Sequence, residues 1–155
     1  MLTIVQATTD EQIIAARDLF REYEAWLGLD LCFQGFEDEL RDLPGKYAKP
    51  DGRLLMAYVD DELAGCIALR KLDEGICEMK RLYVREAFRG KRAGISLIET
   101  IIVEAKGIGY KSMRLDTHPP KMGKAVSLYE SYGFVEIPAY YSNPHPDVLF
   151  MELKL

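Results

Sequence analysis

Apolar residues recur along this chain at two different spacings, and the points where one spacing gives way to the other divide it into elements. Ile13, Ala16, Phe20, Tyr23 and Leu27 follow one another at the three-to-four spacing of a single helix face. Thr9, with Gln12 three residues on, reads as a capping box that starts this helix, and Gly28 as its stop. A short strand at 3–7 precedes it, and a shorter helix at 36–43 follows, halted by Pro44-Gly45. The period then changes to two. Residues 54–59 and 63–69 flank the polar turn Asp60-Asp61-Glu62 and predict an antiparallel hairpin. Asp73-Glu74-Gly75 turns the chain into another strand at 76–84. Beyond Arg89-Gly90, a helical stripe of Ile95, Ile98, Ile102 and Ala105 ends at Gly107. Met113 and Leu115 alternate in a strand that stops at Asp116-Thr117-His118-Pro119-Pro120. Ala125, Leu128, Tyr129 and Tyr132 mark a fourth helix, closed by Gly133, and 148–155 is a final strand. Hairpins combined with one central strand-helix-strand crossover predict an α/β chain with a mixed sheet, helices on both faces and a right-handed crossover.

At 155 residues the chain has the length of one domain, 1–155, long enough to bury a core without disulfides or metal. Its net charge of -5 argues against a broad nucleic-acid footprint, because phosphate binding needs a basic surface. The three cysteines, Cys32, Cys66 and Cys77, form no CxxC pair and lie in apolar company, so buried inert thiols are expected, with no metal. The opening Met-Leu-Thr-Ile-Val-Gln has no basic region and no long apolar run. The expectation is therefore no secretory signal, no membrane span and a cytoplasmic location.

The chemistry concentrates between 81 and 94, where a strand runs into a Gly-containing loop with Arg89, Lys91 and Arg92 and then directly into a strong helix. A helix start offers unpaired N–H groups and a partial positive charge, and small residues let a pyrophosphate approach the backbone. The spacing is neither a P-loop nor GxGxxG. On mechanism alone, anion binding and a solvated basic turn both stand.

Leu82-Tyr83-Val84 followed by Arg89-Gly90-Lys91-Arg92-Ala93-Gly94 resembles the acetyl-CoA signature of the GNAT superfamily of N-acetyltransferases, whose pattern is Gln or Arg, two residues, Gly, one residue, then Gly or Ala. The run from Ala125 through Leu128-Tyr129 to Gly133-Phe134 is similar to that family's Leu-Tyr…Gly-Phe block. The element order agrees along nearly the whole chain. Two departures stand out. Arg92 occupies the place of the middle Gly, which alters one close backbone approach, and Met122 that of an Asn frequent in the family.

The resemblance implies a mostly antiparallel mixed sheet of six to seven strands with about four helices, and acetyl-CoA as co-substrate. It also implies transfer of an acetyl group to a primary amine by direct attack in a ternary complex. Acyl transfer from a thioester requires a deprotonated amine, a stabilised oxyanion and a protonated leaving thiolate. Glu78 is the candidate base. Counting by two puts it on one face with Lys80, Leu82 and Val84, where a partly apolar cleft would raise its pKa. A carboxylate paired with Lys80 or Arg70 at the surface is the plain alternative. Tyr129 is the candidate acid, although its spacing also suits a core aromatic. The Leu82 N–H is expected to meet the oxyanion where the fourth and fifth strands splay apart, with Tyr83 and Val84 offering further backbone groups to pantetheine. Asp116, Thr117 and His118 are expected to border the acceptor site, and the loop Tyr140-Tyr141-Ser142-Asn143-Pro144 to wall it. Segment 26–49 is expected to shape specificity, its acidic run Glu37-Asp38-Glu39 being a solvated face rather than a cation trap. A non-catalytic acyl-CoA-binding regulatory module is the alternative function. A homodimer through a sheet edge is expected to use the final strand.

Overall fold

The computed structural model describes every residue except 29, 30 and 32–34, and residue 121 by its backbone only. In chain order the elements are strand β1 (Leu2–Gln6), helices α1 (Asp10–Leu27) and α2 (Phe36–Asp42), strands β2 (Arg53–Val59), β3 (Glu62–Asp73) and β4 (Ile76–Val84), helix α3 (Ala93–Ile108), strand β5 (Ser112–Thr117), helix α4 (Pro119–Ser131) and strands β6 (Val135–Ile137) and β7 (Leu149–Lys154). The strands form one sheet in the order β1-β2-β3-β4-β5-β7-β6, antiparallel throughout except for the β4–β5 pair.

Local chemistry accounts for the boundaries. The Thr9–Gln12 capping box forms, and Gly28 closes α1 in left-handed backbone. Asp60 and Asp61 both take positive φ, as a two-residue hairpin turn requires. Alternation then sorts the side chains. Leu55, Ile67, Leu69, Cys77 and Met79 pack toward α3 and α4, while Leu54, Met56, Cys66 and Ala68 pack toward α1 and α2. Cys66 and Cys77 are buried, and burial pushes the Cys77 thiol up to about 12. Cys32 lies outside the described residues.

The sheet departs from expectation in several places. β7 is an interior strand between β5 and β6, so the sheet edges are β1 and β6 and the final strand offers no edge. β6 has three residues, and no alternation marks it. α3 continues past Gly107 to Ile108, with Gly109 as its left-handed cap. α4 begins at Pro119 rather than near Ala125 and is kinked at Met122.

The largest departure is in β4. Cys66 pairs with Tyr83 and Ala68 with Lys80, so Ile67 alone faces two residues, Arg81 and Leu82. Arg81 takes φ 61 to absorb the extra residue. This bulge reverses the side-chain parity. Glu78 and Lys80 face the α1–α2 side, but Leu82 and Val84 pack with the α3 core, so the four do not share a face.

Candidate active site

β4 and β5 pair only at Ile76–Ser112, Cys77–Met113 and Glu78–Arg114. β4 continues to Val84 and β5 to Thr117, so the two strands part beyond Glu78 and open a slot through the sheet. A small cleft lies in this slot, lined from one face by Met79, Leu82 and Tyr129 and from the other by Lys80 and Asp116. Tyr129 is 2% exposed and packs at a tilt against Phe134, ring centroids 5.6 Å apart. Burial pushes its pKa far up, with Tyr23 and Asp116 adding to the effect.

A cavity of about 470 Å³ opens on the α1–α2 side, with Glu78 and Lys80 in its wall and α2 and the 138–148 loop around it. Glu78 is 1% exposed. Its Oε1 accepts from Arg70 Nε at 2.8 Å and lies 3.8 Å from Lys80 Nζ, and its Oε2 accepts from the Tyr140 hydroxyl at 2.6 Å. Burial alone raises this carboxyl, but Lys80, the Tyr140 hydroxyl and Arg70 together outweigh it and hold its pKa below the usual value. The expected upward shift is therefore reversed, and the carboxylate is buried and paired rather than solvent-facing. Lys80 is itself depressed, by burial first and then by Arg81.

The 138–148 loop reaches both carboxylates at the slot. Tyr140 binds Glu78, while the neighbouring Tyr141 donates to Asp116 Oδ2 and accepts from Asn143 Nδ2 at 2.9 Å. The two rings meet edge-on at 5.5 Å, and each lies 5.2 Å from Phe150. Tyr140, Tyr141 and Ser142 line the large cavity. Asn143 instead lines a smaller one beside Asp116, Thr117 and His118. Burial raises the Asp116 pKa above the ordinary carboxylate value, against the pull of Lys80. His118 is half-buried, and no described residue bonds its Nδ1.

On the bulge, Arg81 donates through Nε and Nη2 to Glu39, both at 2.9 Å, and lies 5.0 Å over the Phe36 ring. This pair fastens α2 to β4. Arg21 pairs with Glu37 and Arg41 with Asp38, so the acidic run of α2 is engaged by arginines. The pairing of Glu78 with Arg70 and Lys80 is the alternative read from the sequence, formed here in a buried position; sequence spacing misses the Arg81–Glu39 pair and the Tyr140–Glu78 bond, because each joins residues from distant elements.

At the far end of β4, a 3-10 turn (Glu86–Phe88) leads to Gly90 at φ 81 and Arg92 at φ 64. Arg92 thus holds the left-handed conformation for which glycine is suited. The helix behind it has no side-chain cap, begins with the small Ala93 and Gly94, and is flanked by the exposed cations Lys91 and Arg92. Those features fit a pyrophosphate. Arg89 is more committed, donating through Nε to the Val84 carbonyl at 3.0 Å and lying 5.1 Å over the Trp26 ring. One Val84 backbone group is therefore already occupied. Tyr83 turns its ring toward Tyr23 and Trp26. Among the described residues no three metal-ligating side chains cluster, and no helix is long and apolar enough to cross a membrane.

Residues 13–134 match the Acetyltransferase (GNAT) family. An uncharacterized N-acetyltransferase of Schizosaccharomyces pombe is 42% identical over 139 residues, which cover 88% of this chain and 85% of that protein. One from Dictyostelium discoideum is 35% identical, covering 94% and 95%. Among solved structures, a GNAT-family acetyltransferase of Staphylococcus aureus Mu50 superposes with a TM-score of 0.81 at 18% identity over 99% of both chains. The PaiA N-acetyltransferase of Thermoplasma acidophilum, solved in complex with coenzyme A, gives 0.73 at 21% identity over 100% of this chain and 99% of that one. These matches define the class as an acetyl-CoA-dependent acyltransferase. The chain belongs to the GNAT acetyltransferase family, and its general activity is acetyl transfer from acetyl-CoA.

Proposed function

We propose that the protein acetylates a primary amine of a small molecule, amino acid or peptide, by direct attack of the amine on the thioester in a ternary complex. One observation carries this reading: the large cavity with Glu78 in its wall adjoins the slot that holds Tyr129. The parted β4 edge and the start of α3 are the matching route for the coenzyme, with Arg89, Gly90, Lys91, Arg92, Ala93 and Gly94 around its pyrophosphate. We also read residues 1–155 as one catalytic domain working in the cytoplasm.

In this reading each residue has a defined task. A lysine-like amine enters mostly protonated at neutral pH. Glu78, ionised there because its pKa is depressed, draws the ammonium into the cavity and accepts its first proton. The Leu82 N–H faces the developing oxyanion, and the Tyr129 hydroxyl protonates the leaving thiolate. A carboxylate held this low is a weak base, so the neutral amine forms only briefly, and acceptors of lower amine pKa react faster.

The test is colorimetric thiol release from acetyl-CoA across a panel of amines, amino acids and peptides, with coenzyme binding measured in parallel. At least one amine accelerates release, and Glu78→Gln and Tyr129→Phe each lower kcat by roughly 10²-fold while still binding coenzyme A. Release that no amine accelerates would sink the reading. Variants that turn over like the wild type would remove the two assigned roles.

A further inference from the structure

The slot between β4 and β5 contains a second carboxylate that the tasks above leave unused. Asp116 follows the last β5 residue paired to β4 by two positions, so its side chain faces the same side of the sheet as Glu78. It lines the cleft together with Leu82 and Tyr129. Its carboxylate accepts from the Tyr141 hydroxyl, whereas Glu78 has Arg70 on one oxygen and Tyr140 on the other. Lys80 lines the cleft beside Asp116, lies 3.8 Å from Glu78 Oε1 and feels both charges.

The proton balance of the reaction calls for such a group. The acceptor ammonium gives up two protons in becoming a secondary amide. The first leaves before attack and goes to Glu78, which returns it to solvent. The second leaves as the nitrogen lone pair forms the N–C bond and the C–S bonding pair departs on sulfur. Meanwhile Tyr129 gives its proton to sulfur and is left as a phenolate in a buried position where a negative charge is costly.

We propose that Asp116 is a further catalytic residue of this reaction, taking the second proton from the acceptor nitrogen and returning it to Tyr129. The inference rests on the amine-acetylation reading above. Atoms and charges then balance: protonated amine and acetyl-CoA give the amide, the free thiol and one proton released to solvent. A carboxyl that burial holds above its usual pKa is better matched than Glu78 to carrying a proton for part of a turnover.

The titratable and charged groups around Asp116 are Lys80 and Arg81 from β4, Tyr23 from α1, His118 at the end of β5, Tyr129 from α4 and the loop residues Tyr141 and His145, with the charge of Glu78 and the Tyr140 hydroxyl also felt there. The test is steady-state kinetics of Asp116→Asn against pH, using whichever amine the wild type acetylates. The variant keeps an acceptor oxygen for Tyr141 but cannot carry a proton. Its kcat falls roughly 10²-fold while both KM values stay within about threefold. The wild-type acid limb, set by Asp116 as the carboxylate that ionises at higher pH, moves down in the variant to the limb that Glu78 sets. Tyr141→Phe gives a second reading should Asp116→Asn fail to fold. Loss of the donor raises the Asp116 pKa further and moves the acid limb to higher pH. A variant with wild-type kcat and an unmoved acid limb overturns the inference alone. A wild type inactive toward every amine overturns the amine-acetylation reading itself, and the inference falls with it.

Discussion

Arg81 and Arg92 both hold left-handed backbone, at φ 61 and φ 64, and each marks a place where the chain must change direction at the site. Only Arg81 is compensated by buried contacts, its fork bonded to Glu39 and its guanidinium over Phe36. Arg92 is exposed and makes no capping bond. A non-glycine residue in this conformation carries about 1–2 kcal/mol of strain, part of which glycine returns as lost chain entropy. Arg92→Gly is therefore expected to raise stability in urea unfolding by roughly 0.5–1 kcal/mol. It also removes a cation beside the helix start, so coenzyme A binding at low salt weakens by about two- to fivefold in a calorimetric titration. A less stable variant would mean that the arginine side chain contributes more than its backbone costs. The sequence singled out Arg92 through the motif it interrupts, and Glu78 and Tyr129 through the same resemblance. It offered Lys80 and Arg70 as partners of Glu78, but not the burial of that group or the Tyr140 bond, which comes from a distant loop.

The bulge at the scale of the strand decides which face of β4 serves which task. By placing two residues opposite Ile67, it keeps Glu78 and Lys80 toward the acceptor-side cavity while turning Leu82 and Val84 to the α3 core. Gly65 makes room for it: a Cβ there would sit 2.4 Å from the Tyr83 carbonyl oxygen. Gly65→Ala must push β4 away or unfold the local pairing, a cost of about 1–3 kcal/mol or more. Chemical denaturation should show that loss, and coenzyme A titration a weaker complex, because the displaced residues include Leu82 and Tyr83. Unchanged affinity in a folded variant would separate the bulge from the coenzyme site. Most elements were visible in the pattern because their signals are local: the Thr9–Gln12 box, the double-Asp turn and the Ile stripe of α3. The bulge was not, because counting by two assumes an unbroken ladder, and its cause lies in a glycine on the neighbouring strand and in α2 packing against Arg81. The interior place of β7 was also hidden, since it depends on β6, whose three residues are too short to show a period.

Across the whole molecule, the slot holds two carboxylates whose environments pull in opposite directions, and this gives a stability signature independent of any substrate. The folded state lowers the Glu78 pKa, so Glu78 contributes stability above its unfolded value that is lost as pH falls through the folded one. Asp116 is raised, so its ionisation opposes folding, and the cost grows as pH climbs from the unfolded value through the folded one. Thermal unfolding from about pH 2 to pH 8 should therefore separate the two variants, Glu78 acting below its ordinary value and Asp116 above its own. Glu78→Gln lies below the wild type at neutral pH, and the gap narrows toward acid. Asp116→Asn matches the wild type at the acid end and rises above it as pH increases, because the amide resembles the protonated carboxyl without ever ionising. A variant that is more stable yet slower is what a catalytic role predicts at a site where function is held at the expense of folding. Were Asp116 only a structural anchor for Tyr141, Asp116→Asn would keep wild-type turnover, and Tyr141→Phe would lower the melting temperature at every pH. Opposite slopes for the two variants would show that the slot keeps one carboxylate ready to hold charge and the other ready to hold a proton.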